Sequence, residues 1–360
     1  MSELPTVLGY MREQPERLRF VLDSKASFVN PFVEVIKRNN IKKVLFFGSG
    51  TSYNVSVISA YYFKHLANVM AEAHYPTVFQ NYEKADWSGL IKKEEILFVG
   101  ISQSGTSIST VNVMKHAKEK GYHTLALTSN LDSEITKHVD VKVHLLVGDE
   151  LLPPETKGYT VSLLTTYLWA VAVGEYKQHL SSTEYQKQFK EINYLVDNFQ
   201  TVIEESEKWY ETNKASIVHS DRIYVIGYGI DYGSALEGML KIGEMLRLPT
   251  LGYEIEEYSH GPTMAIRDNQ TLLMIGSEEP ELERMLHFRD VFKRYTSRVH
   301  VISCVDIERD DSDCVFSLKV NKYIAPLMYT VPMQFVAAKG ALDIGIDTAI
   351  NPFSEQLAHL

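Results

Sequence analysis

Cysteine is scarce in this chain. Its 360 residues hold two, Cys304 and Cys314, too few for a disulfide framework and too far apart for a C-x-x-C metal pair. No apolar run approaches the ~18 residues of a membrane span, and the first residues lack an apolar leader core. Positive charge is also short: 36 Lys and Arg against 46 Asp and Glu give a net charge of −10. That balance argues against broad nucleic-acid or anionic-membrane binding. Together these shortages predict a cytoplasmic protein, where thiols stay reduced, with no nucleic-acid and no membrane partner. Three motifs are missing too. Gly48-Ser49-Gly50 and Gly227-Tyr228-Gly229 lack the third glycine of a dinucleotide fingerprint. The serine-rich loop near residue 104 lacks the lysine of a nucleotide-phosphate loop, and no Gly-x-Ser-x-Gly elbow supports Ser-His-Asp hydrolysis.

What is present is a repeat. Val44-Leu45-Phe46-Phe47-Gly48-Ser49-Gly50 is echoed, about half the chain later, by Ile223-Tyr224-Val225-Ile226-Gly227-Tyr228-Gly229. Ile96–Gly100 is echoed by Leu272–Gly276, and Thr124–Leu127 by His300–Ser303. Each is a short apolar strand, and helical patterns such as Val55, Ile58, Tyr61, Tyr62 and Leu66 lie between them. Alternating strands and helices imply βαβ units and a parallel sheet between helix layers. The expected fold is therefore α/β, two tandem lobes, each a three-layer αβα sandwich. The expected divisions are a helical lead-in over 1–35, a first lobe over 36–175, a helical connector over 176–204, a second lobe over 205–340 and a tail over 341–360.

The apolar run Ile96–Val99 ends in Gly100-Ile101-Ser102-Gln103-Ser104-Gly105-Thr106-Ser107, and a helical pattern follows. A strand that feeds a helix N-terminus presents aligned N–H groups and partial positive charge, and hydroxyls add donors. The loop reads as a cradle for the phosphate of a small molecule, or as a Ser-rich helix cap. Ligands of doubly wound sheets bind outside the carboxyl ends of the strands, so the Ser49–Ser52 and Ser102–Ser107 loops are both placed to meet one ligand. In the second half the corresponding loop carries Glu278, Glu279 and Glu281, which would repel phosphate. An anion is expected on the first lobe only.

The second half carries Glu237, Lys241 and Glu244, four and three residues apart and so on one helical face. A solvated ion-pair stripe is the plainer alternative. Gly238 and Gly243 disfavour a helix by roughly 1 kcal/mol each, which suggests close approach of another backbone or a ligand. His260, in Ser259-His260-Gly261-Pro262, sits on a turn where imidazole suits proton transfer near neutral pH. Glu155-Thr156-Lys157-Gly158-Tyr159-Thr160 opens an apolar helix over Val161–Val173, as a cap or with hydroxyls turned to a ligand. Arg309–Asp313 reads as an acidic loop, without the glycine and closing glutamate of a calcium site.

These stretches jointly resemble the sugar isomerase (SIS) domain family in its double-lobed form. The chain is similar to the isomerase half of glucosamine-6-phosphate synthase and, more closely, to fructosamine-6-phosphate deglycases. The resemblance runs from Met11-Arg12-Glu13-Gln14-Pro15 to the tail and rests on Gly50–Tyr53, Ile101–Gly105, Glu155–Lys157, Ala235–Gly238 with Lys241 and Glu244, and Ser259–Pro262. It implies that Ser49, Gly50, Thr51, Ser52, Ser102, Gln103, Ser104 and Ser107, with Glu155 and Thr160, hold a sugar 6-phosphate. It implies Glu244 as the base moving a proton between C1 and C2, Lys241 beside it, and His260 as the acid/base that opens the ring, reaching in from the second subunit of a homodimer. No cofactor and no metal are implied.

Two departures from the synthase narrow the expectation. The chain enters the isomerase-like region at once, without a glutaminase half, and no lysine follows Lys339 to form an imine with a ketose. A substrate that already carries nitrogen is then expected: a phosphorylated sugar–amino acid, cleaved to hexose 6-phosphate and free amine. An aminosugar-phosphate isomerase or deaminase, and a non-catalytic sugar-phosphate-binding protein, are the alternatives.

Overall fold

A computed structural model describes residues 6–152, 154–350 and 353. Residues Met1–Pro5, and the lysine-free stretch Asn351–Leu360 apart from Phe353, lie outside the described residues. The chain forms two compact units. One gathers residues 16–149 and 157–190; the other gathers residues 6–15, 150–156 and 191–350. They are called the first and second lobes below.

Three helices precede the first sheet: α1 (Val7–Arg12), α2 (Gln14–Asp23) and α3 (Ala26–Asn39). The first lobe then alternates β1 (Lys43–Phe47), α4 (Thr51–Leu66), β2 (Met70–His74), α5 (Pro76–Tyr82), β3 (Ile96–Ile101), α6 (Ile108–Glu119), β4 (His123–Thr128), β5 (Val141–His144) and α7 (Lys157–Tyr176). Helix α8 (Ser182–Asp197) follows. The second lobe continues with α9 (Phe199–Val218), β6 (Arg222–Gly227), α10 (Asp231–Met245), β7 (Thr250–Glu254), α11 (Ile255–Ser259), β8 (Gln270–Ile275), α12 (Glu281–Phe292), β9 (Val299–Ser303), β10 (Cys314–Val315) and α13 (Pro326–Asp343).

Each lobe holds one five-stranded, wholly parallel sheet. The strand orders are β2-β1-β3-β4-β5 and β7-β6-β8-β9-β10, the same path drawn twice. The α/β two-lobe expectation is thus met. The six strands read from sequence are the inner ones, continuous apolar runs because helices cover both their faces. β2, β5, β7 and β10 were not read. They lie toward or at the sheet edges, are short or partly exposed, and carry no long β-branched run.

The chain order reverses between β1 and β3, and again between β6 and β8. Ligands of such sheets bind at that reversal, at the strands' carboxyl ends. Both lobes reach it through the same tight passage. A Cβ on Gly48 would lie 2.6 Å from the Ser52 carbonyl carbon, and one on Gly227 would lie 2.7 Å from the Asp231 carbonyl oxygen. Only glycine lets the strand end touch the backbone of the next helix.

The helix expected over Val161–Val173 begins four residues earlier, at Lys157. Arg309–Asp313 is a structural knot. Asp310 pairs with Lys293 at 2.7 Å, while buried Asp313 accepts from Arg289 and the Val301 N–H.

Candidate active site

In the first lobe the two loops at the reversal point meet through hydroxyls. Ser49, after β1, lies 3.4 Å from Ser109 on the first turn of α6, oxygen to oxygen. Thr51 and Ser52 open α4, with Thr51 buried. The loop after β3 is held from within: Ser102 Oγ accepts from Gly105 N at 3.1 Å, and the Gln103 carbonyl accepts from Thr128 Oγ1 and Ser129 Oγ. Gly105 has φ +70°, and a Cβ there would come within 1.9 Å of Ser133 Oγ. Its conformation and its contact both demand glycine. Exposed Ser104 and Thr106 pair at 2.9 Å.

The plainer reading of this loop was a cap for α6, and it is overturned. Ser107 is the N-cap residue, yet its side chain makes no capping bond to the helix; its hydroxyl lies 3.3 Å from Thr110 Oγ1. α4 has glycine at its N-cap and likewise no side-chain cap. Two helix N-termini therefore face the reversal point uncapped by their own N-cap side chains, which is the arrangement an oxyanion fills.

In the second lobe α10 carries the titratable groups. Lys241 Nζ lies 2.7 Å from Glu244 Oε2 and 3.8 Å from Glu237 Oε1. Its side chain is 3% exposed and that of Glu237 0%, so the solvated-stripe alternative fails. Glu244 keeps 39% exposure and is the member of the trio that a ligand can reach. Burial alone would lower the Lys241 pKa, but Glu237 and Glu244 outweigh it and hold the ammonium above its usual value. Of the two glycines on this helix, Gly238 is closely approached, since a Cβ would lie 2.0 Å from Met333 Sδ of α13. Gly243 has open space, so no other part of the chain approaches it closely among the described residues.

Glu155 joins this cluster from the loop before α7. Its pKa is raised to about 7, first by burial, with Lys241 opposing and Glu150, Glu237 and Glu244 adding to the rise. Three buried groups hold the loop: Gln14 Nε2 donates to Gln334 Oε1 at 3.0 Å, Gln334 Nε2 donates to the Thr156 carbonyl at 3.2 Å, and Gln14 also donates to the Met11 carbonyl. Glu150 accepts from the N–H and hydroxyl of Thr156. Thr160 is placed differently from the others. It is buried within the first turn of α7, where its hydroxyl donates to the Lys157 carbonyl.

His260 ends α11 and is exposed. Its side chain makes no hydrogen bond or ion pair among the described residues, although its charge helps lower the pKa of Glu256. Within the chain it is not hydrogen-bonded to Lys241 or Glu244.

Sequence reasoning missed Asp231. It fills the reversal point of the second lobe, fully buried, and accepts from Ser277 N at 2.8 Å and Ser277 Oγ at 3.1 Å. Burial raises its pKa to about 7, against the lowering effect of those two bonds. Ser277 Oγ also lies 3.3 Å from Tyr329 Oη, and Tyr228 Oη donates to the Ser277 carbonyl. The only sequence signal was an aspartate just after the repeated Gly-x-Gly, where the first lobe has serine.

The SIS domain family matches residues 39–172 and 216–340, and the chain belongs to it. Glutamine–fructose-6-phosphate aminotransferase (isomerizing) of Caldanaerobacter subterraneus subsp. tengcongensis is 25% identical over 346 residues, covering 94% of this chain and 56% of that protein. The chain thus spans about half the length of such relatives. Among solved structures, a candidate phosphosugar isomerase from Clostridium difficile 630 superposes with a TM-score of 0.87 at 29% identity, over 99% of both chains. A glucosamine-6-phosphate deaminase from Thermotoga maritima shares the fold, with a TM-score of 0.76 at 19% identity over 96% of this chain and 97% of that one.

Proposed function

We propose that the protein is a deglycase that cleaves a phosphorylated Amadori-type sugar–amino acid to hexose 6-phosphate and free amine. The observation that carries this reading is the locked state of Lys241. It is buried, bonded to Glu244 and held as an ammonium, so it has no lone pair with which to form an imine with a ketose. A substrate that brings its own nitrogen needs no such lysine. It needs a base for the C–H beside its carbonyl, and Glu244 is the accessible carboxylate of the trio.

The phosphate is assigned to Thr51, Ser52, Ser102, Gln103, Ser104 and Ser107, with Ser49 and Gly50 completing the turn after β1. These loops contain no cation, so N–H groups, hydroxyls and two helix N-termini supply the whole attraction. Glu155 is assigned to the sugar end, beside Lys241. Thr160, its hydroxyl bonded internally, is assigned to holding the start of α7. His260 is assigned to ring opening in the site of a second subunit, which its exposure and lack of a hydrogen-bonded partner among the described residues support.

Incubation with 6-phosphofructosyl-lysine, 6-phosphoglucosyl-lysine and glucosamine 6-phosphate tests the reading through hexose 6-phosphate release. Turnover of a lysine adduct is expected. Turnover of glucosamine 6-phosphate alone would make the protein an aminosugar-phosphate deaminase instead. Glu244→Gln should abolish turnover while inorganic phosphate and sugar phosphate still bind; surviving activity would remove Glu244 as the base.

A further inference from the structure

The proton that leaves carbon has Glu244 to take it, but the substrate oxygen that becomes a hydroxyl in the same step needs a donor. Lys241 is ill suited, because its ammonium is bonded to Glu244 and faces Glu237. We propose that Glu155 is the second catalytic acid/base, giving its proton to the C2 oxygen and later recovering one from the attacking water. This rests on the deglycase reading above.

Three observations support the assignment. Glu155 is half-buried, and its carboxyl makes no hydrogen bond or ion pair to any described residue, so both oxygens stay available to a ligand. The loop that carries it is fixed through the buried Gln14–Gln334–Thr156 chain, which holds the main chain without occupying the carboxyl. The groups whose charge it feels are Lys241, Glu237 and Glu244 of α10 and Glu150 of its own loop. Burial above all, with the three carboxylates adding to it and Lys241 opposing, favours the neutral acid, the form that can donate. Glu244, which contacts the Lys241 ammonium at 2.7 Å and keeps a solvent-facing edge, is the carboxylate placed to accept. A half-buried carboxyl without a partner among the described residues and an exposed one tied to an ammonium sit in different surroundings, the arrangement in which two carboxyl groups divide acid and base roles.

The chemistry balances. The C1–H bond breaks, its proton passes to Glu244, and its electron pair forms the C1=C2 bond. The C2 carbonyl pair takes the Glu155 proton, giving an enaminol. Glu244 returns its proton to C2 as the nitrogen lone pair forms C1=N. Water adds to C1 and yields a proton to the Glu155 carboxylate. The resulting carbinolamine moves its hydroxyl proton to nitrogen, and the amine leaves as the aldehyde forms.

The test is the pH profile of kcat/KM for the wild type, Glu155→Gln and Glu155→Asp, on whichever lysine adduct the wild type turns over, with circular dichroism to verify folding. Glu155→Gln should lower kcat by about 10²-fold or more with little change in KM, and should erase the fall in rate on the alkaline side. Glu155→Asp should retain that fall and recover part of kcat. If folded Glu155→Gln keeps both the wild-type rate and its alkaline limb, the assignment is overturned while the deglycase reading stands. If the wild type releases no hexose 6-phosphate from either adduct, the deglycase reading falls and this assignment falls with it.

Discussion

At the scale of residues, the second lobe keeps a carboxyl that is costly to ionise. The folded value of Glu155 lies above the ordinary 4.5, at about 7, so the folded state binds this proton more tightly than the unfolded chain does. The stabilisation is intact below about pH 4.5 and is lost as pH climbs through about 7. Glu155→Gln removes that loss. Its melting temperature should equal that of the wild type near pH 4 and exceed it by roughly 2–4 °C at pH 8. That range corresponds to about 1 kcal/mol, the shift being discounted because the side chain keeps contact with solvent. A variant less stable than the wild type at both pH values would contradict the raised value. Stability gained with activity lost is the pattern expected where a site holds an unfavourable charge for function.

Glu237, Lys241 and Glu244 were legible in the sequence because helical spacing alone places them on one face. The burial of Glu237 and Lys241 was not, since it depends on α13 packing against α10 through Met333 and Gly238. Glu155 was legible only as part of a possible cap. Its setting comes first from burial and then, besides nearby Glu150, from residues 82 to 89 positions further along the chain, none of which a local pattern reveals.

At the scale of elements, the reversal point of the first lobe is built by β1, β3 and the starts of α4 and α6. The inner strands were legible because a strand buried on both faces is a continuous apolar run. The edge strands were not, because partly exposed strands lose that mark. The serine loop could be found but not interpreted: whether Ser107 caps α6 is a matter of one side-chain torsion, and its hydroxyl meets Thr110 Oγ1 rather than a backbone N–H of the helix. Gly105 is the residue on which the loop depends. Gly105→Ala forces a side chain into a left-handed backbone and against Ser133, so the loop must shift. The expected result is a substrate KM raised about tenfold or more, the loss of one charge-assisted hydrogen bond, with kcat less affected. Unchanged KM would mean that the phosphate binds elsewhere.

At the scale of the whole molecule, the chain repeats one strand order and gives the two copies different side chains: hydroxyls at the reversal point of one lobe, a Glu–Lys–Glu helix in the other. Among the described residues no helix is long and apolar enough to cross a membrane. The proposed homodimer with His260 shared across subunits has a direct assay. Glu244→Gln and His260→Ala, each inactive alone, should regain up to about a quarter of wild-type activity when mixed and re-equilibrated, because half of the dimers are mixed and each of these rebuilds one intact site. No recovery from mixtures shown to contain mixed dimers would place His260 in the site of its own chain.

Asp231 has one further consequence. The repeat gives each lobe the same tight passage at its reversal point, and in the second lobe a carboxylate of the chain itself occupies it, tethered to α10 and sealed from water. An external anion would have to compete with a group at very high effective concentration that never diffuses away. Saturation with phosphate should therefore stop at one ion per chain, although the architecture presents two positions. The same carboxylate anchors the start of the helix that carries Glu237, Lys241 and Glu244. The second copy of that passage is thus a fixed footing for α10, while the first copy is the one proposed to take the substrate phosphate.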